Sequence, residues 1–203
     1  MITTNSGKIY RFVLDHGLGY GFAEVYDFTD DSMFDGRYVF AYDRIDAEAQ
    51  KEYSITEIRS NLIALGPITL YKFPNVRGVG AWKYLFRTDD FLITERPSYK
   101  YLQAATRGNN WTESPWWYKA PCDMKKLPDY VDYEKLRHLE TRILNGHPGV
   151  ATKFTMKYLL DCGKKVSDFY DLSQLAAKNM FVQLINTYYP LGKTIEFLEQ
   201  LPR

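Results

Sequence analysis

The stretch HGLGYGFAEVYDF, residues 16–28, sets three glycines among four aromatic residues, and its reading decides the fold. If Gly17-Leu18-Gly19-Tyr20-Gly21 cradled a phosphate, the chain would be a nucleotide enzyme. If it is the turn of a β-hairpin, that chemistry disappears. A dinucleotide fingerprint needs Gly-x-Gly-x-x-Gly between a strand and a helix, because the helix N-terminus binds the pyrophosphate. Here the spacing is Gly17-x-Gly19-x-Gly21, and FAEVYDF continues as a strand. Phe22, Glu24, Tyr26 and Phe28 fall on one face of that strand, with Ala23, Val25 and Asp27 on the other. No Gly-x-x-x-x-Gly-Lys-Ser/Thr occurs in the chain. The pattern therefore predicts a hairpin, with Gly21 permitting a bulge or a close backbone approach.

Working outward, KIYRFVLD (8–15) precedes the turn and alternates apolar with polar residues, and RYVFAYD (37–43) is a third run of β-formers. Ser54 and Glu57 fit a capping box, which predicts a short helix over 54–62. Gly66-Pro67 reads as a turn, followed by strand candidates ITLYKF (68–73) and AWKYLFR (81–87). Residues 98–131 are rich in aromatics but show no sustained period, and they read as an irregular arm. The last third is helical in pattern. Tyr133, Leu136, Leu139 and Ile143 share a face over 132–144, and Asn145 to Gly149 read as its stop. Phe154, Tyr158 and Cys162 line a second helix over 151–162. Phe169, Leu172, Ala176, Met180 and Leu184 line a third over 167–189, with Ser167 as N-cap. Ile195, Leu198 and Leu201 mark a final turn. The expected fold is α+β: a mostly β domain at 1–97 with a twisted antiparallel sheet, open or closed into a barrel, a connecting arm at 98–131, and three or four helices at 132–203 packed on or beside the sheet.

Composition is consistent with a folded protein: 203 residues, 45% hydrophobic and 25% charged. With 17 Tyr, 12 Phe and 4 Trp, aromatic packing and β structure are favoured over a plain helical bundle. No apolar run is long enough for a membrane span, and the N-terminus lacks the pattern of a signal peptide. Cys122 and Cys162 form no ligand motif, and reduced thiols in a cytoplasmic protein are expected. The formal net charge of +1 hides an asymmetry: residues 1–60 hold 11 acids and 6 bases, and the basic excess lies beyond them.

Tests for chemistry fail one by one. Asp27, Asp30, Asp31 and Asp35 do not match an EF-hand loop, so they and Asp43 read as solvated charge or as a patch for a basic partner. His16, His138 and His147 lie in no metal-binding or catalytic spacing and read as exposed or capping residues, while Cys162 reads as core. No Gly-x-Ser-x-Gly elbow occurs. No cofactor and no catalytic residue are expected. Trp116 and Trp117 are candidate interface anchors. An alternative reading gives Arg107, Trp111, Trp117, Lys119, Lys125 and Lys126 to single-stranded nucleic acid.

The stretch GKIYRFVLDHGLGYGFAEVYDF, followed at a distance by ITLYKFPNVRGVGAWKYLF with its Gly80-Ala81-Trp82, resembles the immunity-protein-26 family of bacterial polymorphic toxin systems over about residues 7–95. The resemblance implies a mostly β domain that binds and neutralises a cognate toxin inside the producing cell, without catalytic residues. By analogy, an acidic surface would meet the basic surroundings of a nuclease active site. The helical tail from about 126 has no counterpart in that resemblance.

Overall fold

The computed structural model describes residues 5–28, 36–78, 80–94, 137–140 and 146–202, and the backbone alone of 99–102, 117–120 and 129–130. The fold is α+β. Strands β1 (Lys8–Val13), β2 (Tyr20–Asp27), β3 (Arg37–Asp46), β4 (Ile63–Leu70) and β5 (Lys83–Arg87) form an antiparallel sheet in the order β4-β3-β2-β1-β5. Helix α1 (Ile55–Arg59) lies between β3 and β4 in sequence, and α2 (His147–Asp161), α3 (Leu175–Tyr188) and α4 (Leu191–Leu198) complete the chain. Residues 98–131, expected to be irregular, contain a second antiparallel sheet of β6 (Tyr99–Leu102), β7 (Trp117–Ala120) and β8 (Asp129–Tyr130). Strands of four and two residues are too short to display a two-residue period.

The opening glycines make a hairpin. A single 3-10 turn, Asp15–Gly17, links β1 to β2, and the Leu14 amide donates to the Gly19 carbonyl at 2.9 Å. Phe12 pairs with Gly21 across the hairpin, and its ring lies directly over the glycine. A Cβ on Gly21 would fall 2.5 Å from Phe12 Cζ. At the same residue the pairing of β2 with β3 slips. Phe12 in turn stacks on Trp82 with centroids 4.8 Å apart and meets the edge of Phe154 of α2 at 5.3 Å.

Both faces of the sheet are buried. Toward α2, α3 and α4 it presents Tyr10, Phe12, Ala23, Val25, Val39 and Ala41. The opposite face carries Phe22, Tyr26, Phe28, Tyr38, Phe40 and Tyr42, covered by Ile58 of α1 and by Phe91 and Ile93. This arrangement corrects the barrel alternative: the sheet stays open, with β4 and β5 at its ends. Each apolar face is covered by its own layer, which an open sheet allows.

Several local expectations are also corrected. Gly66-Pro67 is not a turn but lies inside β4, where an end strand tolerates the missing proline N–H. The Gly66 amide donates instead to the Tyr188 hydroxyl at 2.9 Å. Residues 146–149 do not stop a helix; His147 and Pro148 open α2, because a proline in the first turn forfeits no intrahelical bond. The described part of 132–144, residues 137–140, holds a turn rather than a helix. The expected helix 167–189 is a 3-10 turn at Val166–Asp168, then a break, then α3. The break follows from Asp171, whose carboxylate accepts from the Ser173 amide at 3.0 Å and hydroxyl at 2.6 Å, a turn that competes with the helix. Cys162, expected in the core, is exposed just past α2. In α4 the buried residue is Thr194, while Ile195 and Leu198 face solvent.

One buried ion pair fixes residues 137–140 to the helices: Lys153 Nζ donates to both Glu140 oxygens at 2.7 Å, and the Tyr188 hydroxyl donates to the same carboxylate. Because Phe12 is clamped between Trp82 and Phe154, it cannot yield to a methyl group. Replacing Gly21→Ala is expected to cost about 1–3 kcal/mol in equilibrium urea unfolding. A loss below about 0.5 kcal/mol, the range of neutral surface changes, would remove the Phe12–Gly21 contact from its central place.

Candidate functional site

On the aromatic face of β2 one position is charged. Glu24, flanked by Ala23 and Val25, is 0% exposed. Burying a carboxylate is costly unless it is paired and hydrogen-bonded. Glu24 is both: it accepts from the Tyr42 hydroxyl and from Arg59 through Nη2 at 2.8 Å and Nε at 3.3 Å. Arg59 then reaches outward, donating from Nη1 to the Asp90 carboxylate at 3.0 Å and from Nη2 to the Asp90 carbonyl at 2.5 Å.

Arg59 arrives there on a helix of only five residues, too short to hold itself together. Its support is local and tertiary. The expected capping box is present, with the Ser54 hydroxyl accepting from the Glu57 amide at 3.1 Å and the Glu57 side chain accepting from the Ser54 amide at 3.5 Å. Ile58 is buried against Ile9, Phe22 and Tyr42.

The Arg59–Asp90 arrangement has two parallels, one on α1 and one at the end of β5. Arg44 lies 3.8 Å from Glu57, and Arg87 lies 2.6 Å from Asp89. In each pair the guanidinium is the more enclosed partner and the carboxylate looks outward: Glu57 is 60%, Asp89 81% and Asp90 88% exposed at the side chain. Glu48 and Glu52 add exposed carboxylates on the chain leading into α1. The result is a surface on which carboxylates outnumber the exposed bases Lys51 and Arg87, and on which Glu57 and Asp90 are held from beneath.

The fates of the sequence-nominated residues differ. Asp27 is not a surface charge. It is buried at the end of β2, its carboxylate 3.8 Å from Arg37, its amide donating to the Ser6 hydroxyl at 2.7 Å. Asp43 is exposed, but its charge acts on Tyr189, on the helix side of the sheet. Asp30, Asp31, Asp35 and Trp116 lie outside the described residues, as do Arg107, Trp111, Lys125 and Lys126. Trp117 and Lys119 belong to β7, described in backbone only. His147, expected at the surface, is buried. The residues that sequence reasoning missed are Arg59, Asp89 and Asp90. The available signal was Glu24 itself, an acid on an otherwise aromatic strand face.

The network shifts its tyrosines in one direction. Burial pushes the Tyr42 and Tyr26 hydroxyls well above the usual phenol range, and the neighbouring Glu24 carboxylate adds to it, with Arg59 drawing each part of the way back. For Arg59, burial acts to lower the pKa, and Glu24 more than offsets it. Glu24 is sealed from solvent, and through Arg59 and Asp90 the arrangement holds α1 against the residues that follow β5. Among the described residues, no three His, Cys, Asp or Glu side chains converge as a metal site would require, and no helix is long and apolar enough to cross a membrane. Comparison with protein-family models, curated proteins and solved structures finds no match to this chain.

Replacing Glu24→Gln leaves Arg59 half-satisfied beneath the surface and is expected to cost about 3 kcal/mol. Tyr42→Phe removes one hydrogen bond and should cost about 1–2 kcal/mol. Equilibrium unfolding of both variants checks the ranking; a milder loss for Glu24→Gln would show that the network holds nothing. The tyrosines also set a pH limit. A hydroxyl whose folded pKa is raised keeps its stabilising effect below its unfolded value near 10 and loses it as pH climbs toward the folded value. Stability to urea should therefore fall progressively above pH 10, and less steeply in Tyr42→Phe. An unchanged slope in that variant would contradict the assignment.

Proposed function

We propose that this chain is a non-enzymatic binding protein of the toxin-neutralising immunity kind, acting in the cytoplasm of the cell that makes the toxin. The observation that carries this reading is the face around α1, where Glu57 and Asp90 project outward over the enclosed guanidinium groups of Arg44 and Arg59, with Asp89 next to Asp90 and paired to the exposed Arg87. Carboxylates held in this way suit a partner with a basic surface, for which complementary charge speeds encounter and fixes register. The resemblance of residues 7–95 to the immunity-protein-26 family points the same way. The basic partner in this reading is the toxin, and a nuclease would supply such a surface around its active site. The acidic residues Asp30, Asp31 and Asp35 belong to the same proposal on sequence grounds, with Trp116 and Trp117 as anchors. Nucleic acid is a poorer candidate for the α1 face, because its phosphates would meet like charge.

The test asks whether a neighbouring gene encodes a toxin domain and co-expresses the chain with that domain, followed by binding kinetics. The chain should restore growth and bind directly. The triple variant Glu57→Gln, Asp89→Asn, Asp90→Asn should associate about tenfold more slowly at low salt, with a weaker salt dependence and a small change in dissociation. An unchanged association rate would rule out the α1 face, and failure to bind any adjacent toxin would overturn the immunity reading.

A further inference from the structure

We propose that the cavity beside the start of α2 is a binding site for a small carboxylate with an apolar body, a site separate from the α1 face. The cavity measures about 480 Å³, within the range of small-ligand sites. Its walls are mostly apolar: Val13, Leu14, Ala81, Trp82, Pro148 and Ala151 line it, together with Thr152 and the backbone of Gly78 and Gly80.

One polar group on its wall is a donor in want of an acceptor, the indole of Trp82. Trp82 is 1% exposed, and its indole N–H, which can only donate, has no partner. A buried N–H left in this way is rare in folded proteins and calls for an explanation. His147 is 4% exposed, stands edge-on to Trp82 with centroids 5.9 Å apart, and has the Gly80 backbone as a hydrogen-bonding neighbour, so it supports the Trp82 ring rather than offering a free donor. Helix α2 begins at the same place. Its N-cap is Gly146, which supplies no capping side chain, so the first-turn amides of His147 and Gly149 find no acceptor within the helix. The positive end of the helix dipole adds to the preference for an anion.

Two further observations bear on the sign of the ligand. Burial first, and then the positive charge of Lys72, hold His147 toward its neutral form, so Lys72 is a cation whose field reaches the site. Asp15 is a carboxylate on the described lining, but it is already engaged, accepting from the Tyr170 hydroxyl at 2.8 Å. The Trp82 N–H is closed to water, and a ligand reaches it only by a small shift of the wall. Where Gly80 passes Pro148, a Cβ added to the glycine would meet only the proline ring, at 3.8 Å, so there is room for that shift.

The experiment is a titration of the full chain followed by proton–nitrogen correlation spectra, with the Trp82 indole resonance assigned through Trp82→Phe. The probes are phenylacetate and isovalerate, their matching amides, and inorganic phosphate. The carboxylates are expected to shift the indole proton downfield and to bind about tenfold more tightly than the amides, one charge-assisted hydrogen bond's worth of discrimination. Thr152→Trp, which fills the cavity from its half-buried rim, should abolish binding while leaving the remaining spectrum folded; Ala81→Phe serves the same purpose if that variant does not fold. Carboxylates that leave the indole resonance unmoved at millimolar concentration would overturn the proposal. So would amides that bind equally well, phosphate that binds as tightly as the carboxylates, or binding that survives the filled cavity.

Discussion

The ring of Phe12 lying on the bare backbone of Gly21 is the contact from which the rest of the molecule takes its register. It requires a residue without a side chain on β2, directly across from a large ring on β1. That ring then serves three elements at once: it seats on the hairpin, stacks on Trp82 at the entry to β5, and receives the edge of Phe154 from α2. A one-residue slip in the hairpin would move Phe12 to the other face of the sheet and break all three contacts together. Sheet register and helix placement are thus set by a single packing decision, and the glycine stretch that looks like a phosphate loop serves the sheet.

The two faces of the sheet are stabilised by different means. The helix face carries small and branched residues at its centre, Ala23, Val25, Val39 and Ala41, which let long helices approach and bury extensive apolar area. The other face is aromatic and is covered by a five-residue helix and a few residues after β5, elements with little area to bury. There, position is fixed by charge. Glu24 reaches no solvent and finds its cation on α1, and that cation holds Asp90. A buried ion pair contributes little net stability against an apolar alternative, but breaking it is expensive, so it discriminates strongly against misplacing α1. Glu140 and Lys153 play the same part for residues 137–140 on the helix side.

What the sequence made legible was whatever depends on near neighbours. The two-residue period of 20–28 assigned every face of β2 correctly, and Ser54 with Glu57 announced α1. Long-range pairing was invisible: nothing near Arg59 says that its partner is Glu24, 35 positions earlier. Ambiguous punctuation misled as well. Gly146, Pro148 and Gly149 can end a helix or begin one, and only the packing of Val150 and Phe154 against the sheet decides for a beginning. Asp171 and Ser173 interrupt a clean apolar stripe because a local side-chain turn outcompetes helix propagation. The acids around α1 escaped notice because Asp90 is far in sequence from Arg59 of α1 and meets it only through the fold, whereas Asp27, close to other acids in sequence, is turned inward.

The enclosed arginines of the α1 face raise an electrostatic question, since each neutralises part of the charge that would attract a basic partner. The ledger around Arg59 resolves it. One guanidinium serves two carboxylates, Glu24 and Asp90, so a formal negative charge remains, and it remains on the exposed member. Arg44 likewise divides itself between Asp46 and Glu57. The acids therefore keep their sign while losing rotamer freedom before any partner arrives. An acid waving freely in solvent must be ordered on binding, at about 0.5–1.5 kcal/mol for a rotamer-rich side chain. Acids already held from beneath have met most of that cost in folding, which is why carboxylates that look half-neutralised make a better docking surface than the same number left loose.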